Sequence, residues 1–255
     1  MNTDTTLDGK RVVITGGSRG IGFAIADLFL RHGAEVLIAA RGAGQLSEVV
    51  AAWVAEDLPA HGIAADVSDS HDIRRIADTA LDRLNGIDTL VHCAGTNIRN
   101  RTTEYDEETF WTIMRTNAWP AFELSRQLHP HLAAAGNAAI LLIGSTAGIT
   151  TVPTGAPYAM SKAALDQLTR YLAVEWAADG IRVNSIAPRV HSDALVEGVL
   201  ADPVYLQRVL ARTPMGRIGE TREVATVAQF LCSDAASYVT GQTIAVDGGF
   251  LAQGL

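Results

Sequence analysis

Arg11 to Gly22 reads RVVITGGSRGIG, an apolar β-branched run that passes directly into a glycine-rich turn. The run Arg11 to Thr15 has the length of a buried strand. Beyond the turn, Ile21, Ile25, Leu28 and Phe29 repeat at helical spacing until His32-Gly33 stops them. Strand, glycine turn and helix in that order predict the opening unit of a parallel α/β sheet. The glycines stand at 16, 20 and 22, a G-x-x-x-G-x-G spacing rather than the G-x-G-x-x-G of other dinucleotide folds. The physical need is similar, because glycine lets the backbone turn tightly and approach a pyrophosphate whose charge rests on a helix N-terminus. Such turns also join strands to helices without binding anything. It is the position of this one, after the first strand of an alternating chain, that points to a cofactor.

The alternation continues along the chain. Glu35 to Ala40 predicts a second strand, Leu46 to Ala55 a helix, and His61 to Ala65 a third strand ending at Asp66. Ile73 to Leu84 is helical, and Thr89 to Cys93 is a fourth strand running into Ala94-Gly95. A long helix from about Glu107 to Ala135 follows, with Pro120 a potential kink, then a strand from Ala139 to Ile143. Leu165, Leu168 and Leu172 stripe another helix, Ile181 to Ile186 is a strand, Thr221 to Cys232 a helix, and Thr243 to Val246 a last strand. Residues from Pro188 to about Pro214 carry no readable period and read as a substrate-binding loop or lid. The expected fold is one Rossmann-type domain over residues 1–255, a doubly wound parallel sheet with helices on both faces.

Composition limits the partners. At 255 residues and 48% hydrophobic, the chain can bury a large core. A net charge of -8 with no basic block argues against nucleic acid or an anionic membrane surface. The first nine residues lack the features of a secretory signal, and no apolar run approaches the ~18 residues of a membrane span. A cytoplasmic protein is expected. Cys93 and Cys232 lack metal-ligand spacing, so no metal site is expected and both are read as reduced small hydrophobes.

The stretch Gly144 to Lys162, GSTAGITTVPTGAPYAMSK, carries chemistry. Ser145 follows an apolar run, and Lys162 stands four residues after Tyr158, so on a helix the two share a face. A phenol titrates near ~10 in water and exchanges protons poorly at neutral pH unless a neighbouring cation stabilises its anion. Taken alone, the same spacing also describes a surface tyrosine and a solvated lysine.

TGGSRGIG, Asp66-Val67, Ala94-Gly95, Asn117, Ser145 and Tyr158-Ala-Met-Ser-Lys162 together resemble the short-chain dehydrogenase/reductase family, and IRVNSIAP and SYVTGQTIAVDGG extend the resemblance over essentially the whole chain. LDQLTRYLAVEWAADGIRVN and FLCSDAASYVTGQ look most like its tropinone-reductase-like members. The resemblance implies that Tyr158 exchanges a proton with a carbonyl or alcohol oxygen while hydride moves to or from a nicotinamide. Lys162 would lower the tyrosine pKa and bind the nicotinamide ribose, Ser145 would hold the substrate oxygen, and Asn117 would fix a water linking Lys162 to solvent. Gly16, Ser18, Arg19, Gly20, Ile21 and Gly22 would cradle the dinucleotide, with Asp66 and Val67 at the adenine, Asp193 where a nicotinamide contact is expected, and Ala94, Gly95, Pro188 and His191 also among the cofactor-binding residues.

Two segments depart from the family pattern. His92-Cys93-Ala94-Gly95 stands where Asn-Asn-Ala-Gly is usual, which alters local support more than chemistry. Pro188-Arg189-Val190-His191-Ser192-Asp193 replaces Pro-Gly followed by a threonine, so Arg189 stands for a glycine and Asp193 for the threonine. His191 is read either as a pocket group or as a surface histidine on a lid. At the end of the second strand, Ala39-Ala40-Arg41 offers no carboxylate for an adenosine ribose, whereas Arg41 and Arg19 can reach a 2′-phosphate. The leading expectation is an NADP(H)-dependent enzyme acting on a carbonyl or secondary alcohol of a small, largely apolar substrate. An NAD(H)-dependent enzyme and a non-catalytic binding module of the same fold are the alternatives. Family members commonly assemble through their two long helices, which here carry Trp111, Trp119 and Trp176, so a homo-oligomer is expected, a tetramer or a dimer.

Overall fold

The computed structural model describes residues 5–191 and 201–253. Its strands are β1 (Arg11–Thr15), β2 (Glu35–Ala40), β3 (Ala60–Ala64), β4 (Thr89–His92), β5 (Ala138–Ile143), β6 (Ile181–Pro188) and β7 (Thr243–Val246). All pair in parallel in the order β3-β2-β1-β4-β5-β6-β7. The helices are α1 (Gly20–Arg31), α2 (Ala43–Ala55), α3 (Ser70–Leu84), α4 (Glu107–Asn117), α5 (Trp119–Ala135), α6 (Thr146–Ile149), α7 (Ala156–Glu175), α8 (Pro203–Ala211) and α9 (Thr221–Cys232).

The strands are apolar on both sides because both faces are covered, as an all-parallel sheet requires. Val13, Leu37, Leu90 and Ile140 pack with α3, α5 and α7 on one face. Val12, Ile14, Val36, Val91 and Leu141 pack with α1, α2 and α9 on the other. Each fully buried aliphatic side chain stabilises the sheet by roughly 1.5–3 kcal/mol. This is the doubly wound architecture expected. Chain order reverses between β1 and β4, which places a crevice at their carboxyl ends, where such sheets bind ligands.

Two readings need correction. The predicted long helix is broken at Ala118 into α4 and α5, and Pro120 lies in the first turn of α5 rather than kinking a continuous helix. That position suits proline, since its missing N–H would have had no intrahelical partner. The unpatterned stretch after Pro188 contains α8, which Asp202 caps by accepting from Val204 N at 2.9 Å. Asp-Pro at 202–203 was a legible start signal. Among the described residues no helix is long and apolar enough to cross a membrane.

Candidate active site

The glycine turn closes on its own backbone. Gly16 has φ +73°, and a Cβ there would lie 2.8 Å from Ala94 N, while a Cβ on Gly22 would collide with the Gly16 carbonyl. Only glycine lets the turn and the loop after β4 approach this closely. The N-cap residue of α1, Arg19, makes no side-chain hydrogen bond to the helix. A cavity of about 310 Å³ here is lined by Gly16, Ser18, Arg19, Ile21, Gly22, Arg41, Asp66, Val67, Ala94 and Gly95. Gly20 opens α1 beside them with φ +57°. Arg41 Nη1 approaches Asp66 Oδ2 at 3.9 Å, with both side chains well exposed, a pairing of little energetic weight. Asp66 Oδ1 is held in place by Ser68, whose N and Oγ donate to it at 2.9 and 2.8 Å.

A second cavity, also about 310 Å³, contains Ser145, Tyr158, Lys162, Pro188 and His191. It shares Ile21, Cys93 and Gly95 with the first, so the two form one cleft along the crevice. Ser145 follows β5 and caps α6, accepting from Ala147 N at 3.1 Å. Tyr158 and Lys162 lie on successive turns of α7, as their spacing predicts, and Lys162 Nζ is 5.8 Å from the centre of the phenol ring. The ammonium is 4% exposed and donates to Ile143 O at 2.8 Å. Burial brings its pKa down from 10.5 to about 8.

Asn117 lines neither cavity. Its Oδ1 accepts from Thr96 N at 2.7 Å, and its Nδ2 donates to Thr96 O and Ser161 Oγ, both at 2.9 Å. Ser161 Oγ in turn donates to Tyr158 O at 2.7 Å. The amide thus ties the loop after β4 to the helix that carries Tyr158. His191 is 4% exposed and its ring lies against Gly219, which excludes the surface-histidine reading. Asp193 lies outside the described residues. A largely apolar substrate is the expectation, and the lining does contain Ile143, Val152 and Val190, but Arg99 and Arg189 line it as well.

Sequence reasoning understated His92. It is fully buried at the end of β4, with Nδ1 2.9 Å from Thr15 Oγ1 at the end of β1. That hydroxyl also accepts from Cys93 N and Ala94 N at 3.2 Å, so its own proton is the one available to Nδ1. Burial, reinforced by the Lys162 ammonium, lowers the His92 pKa to about 3 and keeps the ring neutral. The histidine therefore braces the two strands at the crevice, the support expected of this departure from the family pattern. Asp166, one turn beyond Lys162, was not singled out. Its Oδ1 accepts from Thr243 Oγ1 at 3.1 Å and Ser185 Oγ at 3.4 Å, tying α7 to β6 and β7, and burial raises its pKa. An aspartate at i+4 from the lysine was the available signal.

Fold and cleft together define a parallel-sheet dinucleotide-binding protein, and comparison with known proteins narrows the class. The family model described as enoyl-(acyl carrier protein) reductase matches residues 16–251. A tropinone reductase homolog of Arabidopsis thaliana is 40% identical, over 100% of this chain and 97% of its own. Among solved structures, a gluconate 5-dehydrogenase from Burkholderia cenocepacia in complex with NADP and tartrate superimposes with a TM-score of 0.95 at 31% identity, covering 100% of both chains. A 7α-hydroxysteroid dehydrogenase complexed with NADH and 7-oxo glycochenodeoxycholic acid gives a TM-score of 0.94 at 32% identity over 98% of this chain and 97% of its own. The chain belongs to the short-chain dehydrogenase/reductase family and is similar to its tropinone-reductase homologs.

Proposed function

We propose that this chain is an NADP(H)-dependent oxidoreductase that interconverts a carbonyl group and a secondary alcohol on a small molecule. The observation that carries the reading is the single cleft joining a glycine-cradled cavity to Ser145, Tyr158 and buried Lys162. The glycine turn at the N-terminus of α1 suits a pyrophosphate, and the cofactor when bound supplies or accepts the hydride. Ser145 Oγ donates to the substrate oxygen, and the Tyr158 hydroxyl delivers the proton to that oxygen in reduction or takes it in oxidation. An ammonium beside a phenol favours the phenolate, so Lys162 assists the transfer and also offers donors to a ribose hydroxyl. Asn117 keeps the loop carrying Gly95 in register with α7 through Thr96 and Ser161.

NADP(H) is favoured over NAD(H) because β2 ends in Ala39-Ala40 with no acid, while Arg19 and Arg41 line the adenosine end. The solved relatives with NADP and with NADH stand on either side of that choice. A panel of ketones and secondary alcohols with each cofactor, followed by nicotinamide absorbance, tests the reading. Turnover with NADPH at an efficiency higher than with NADH by several orders of magnitude is expected from two charge-assisted contacts, and the absence of any nicotinamide-coupled turnover would exclude the reading.

A second copy of the chain is the proposed partner. Trp111, Trp119 and Phe122 are 44%, 41% and 43% exposed and line an apolar groove of about 740 Å³ with Met114 and Leu168. Exposed aromatic surface on this scale marks an interaction site. Sedimentation should give a dimer or tetramer, and a monomer at micromolar concentration would refute the assembly.

A further inference from the structure

The cavity that holds Ser145, Tyr158 and Lys162 is also lined by Arg99 and Arg189, and among the described residues no Asp or Glu lines it. Arg189 directly follows β6, and its guanidinium carbon lies 4.2 Å from the ring centre of Phe250. Arg212 approaches the same ring at 5.8 Å. Arg189 thus lies within cation–π distance of Phe250 while lining the cavity, and a guanidinium presents paired donors that match a carboxylate. Its Nε is buried and meets no acceptor among the described residues. Burial lowers the Arg189 pKa, and the Arg212 and Arg99 charges act in the same direction, against Tyr205 and Asp247. Asp247 does not neutralise it by contact, since its oxygens accept from Gly249 N at 2.9 Å and Leu251 N at 2.8 Å. None of the three arginines is ion-paired with a described carboxylate.

Arg99 and Arg212 are exposed whereas Arg189 is half-buried, so it is the Arg189 guanidinium that loses hydration beside like charges, and a bound anion offsets that cost. The dinucleotide phosphates do not account for the cluster. They belong with Gly16, Arg19 and Arg41, and neither Arg99 nor Arg189 lines that cavity. Asn97 lines the catalytic cavity with its side-chain oxygen buried and without a donor, a further sign that the ligand is polar.

We propose that the substrate carries a carboxylate, seated on Arg189 and Arg99, which holds the reacting carbonyl against Ser145 and Tyr158. The inference rests on the reductase reading above and names its substrate class, an oxo acid in reduction and the corresponding hydroxy acid in oxidation. The carbonyl carbon gains hydride from the reduced nicotinamide, its oxygen gains the Tyr158 proton, and the carboxylate is unchanged.

The test compares a short-chain oxo acid with its methyl ester in wild type, Arg189→Met and Arg189→Lys, following NADPH absorbance and confirming folding by thermal melt. Wild type should favour the acid by roughly 10- to 100-fold in kcat/KM, chiefly through KM, the weight of a charge-assisted contact. Arg189→Met should bring the acid-to-ester ratio to near one, and Arg189→Lys should restore part of it. Equal use of acid and ester by wild type, or a ratio untouched by Arg189→Met, overturns the proposal while leaving the reductase reading intact. If no carbonyl compound is turned over, the reductase reading fails. Calorimetric titration of the oxo acid into the NADP⁺-saturated protein then decides the anion site, which stands if binding depends on Arg189 and falls if there is none.

Discussion

The glycine-turn cavity and the catalytic cavity adjoin at Ile21, Cys93 and Gly95, yet they are held by different means. Five of the residues around the first lie within Gly16 to Gly22, and its shape is a matter of backbone geometry and exposed arginines. The second is held by buried polar groups from distant parts of the chain. Lys162 bonds Ile143 across 19 residues, Asn117 bonds Thr96 across 21 and Ser161 across 44. Changes in the first cavity should therefore alter which cofactor binds, whereas changes in the second should alter chemistry or stability.

The sharpest way to break this contrast is Tyr158→Phe. The ring still packs on α7 and only the transferable proton is lost, so kcat should fall by roughly 10²- to 10⁴-fold with cofactor affinity nearly intact. Fluorescence titration of NADPH alongside steady-state turnover separates the two, and retention of more than a few per cent of the wild-type rate would remove Tyr158 from its role.

On the other side of the crevice, Arg41→Ala should lower the NADPH-to-NADH ratio of kcat/KM by roughly 10- to 100-fold, the weight of charge-assisted bonds to a phosphate. Its weak pairing with Asp66 leaves the guanidinium available for that contact. An unchanged ratio would mean that the arginine is only a solvated surface charge.

His92 lines neither cavity but directly precedes Cys93, which lines both, and its replacement tests the contrast through stability rather than turnover. Its folded pKa of about 3 lies below the ordinary 6.5, so between those values the unfolded chain binds a proton that the folded chain refuses. Stability is therefore lost as pH falls from 6.5 towards 3. One proton taken up by the unfolded chain alone costs at most ~1.4 kcal/mol for each step of one in pH. His92→Asn keeps a hydrogen-bonding side chain beside Thr15 and removes the titration. Its melting temperature should decline less than that of wild type as the pH is lowered through the window set by those two pKa values. Parallel declines would show that His92 does not govern acid stability.

Much of the fold was legible because each element carries its own period. Arg11–Thr15, Glu35–Ala40, Thr221–Cys232 and Thr243–Val246 have the bounds their patterns predicted, and elsewhere strand and helix ends differ by a few residues. The break at Ala118 was not legible, since apolar residues continue on both sides of it and Pro120 marks a start as readily as a kink. α8 escaped notice because it is short and its apolar residues are mostly only partly buried, with Val209 alone fully buried.

By itself the sequence determined the parallel α/β order, the glycine turn, and the pairing of Tyr158 with Lys162, because strand period, glycine backbone freedom and i,i+4 spacing are local properties. Only the tertiary structure decided that Asn117 ties a loop to α7, that His92 is a neutral brace between β1 and β4, and that His191 is packed against Gly219. It also decided that Arg189 and Arg99 line one cavity without a described carboxylate between them. The reason is physical: which polar groups are buried, and which charges share a cavity, depends on chain segments brought together by the sheet order, and burial rather than residue type sets their protonation and their need for a ligand.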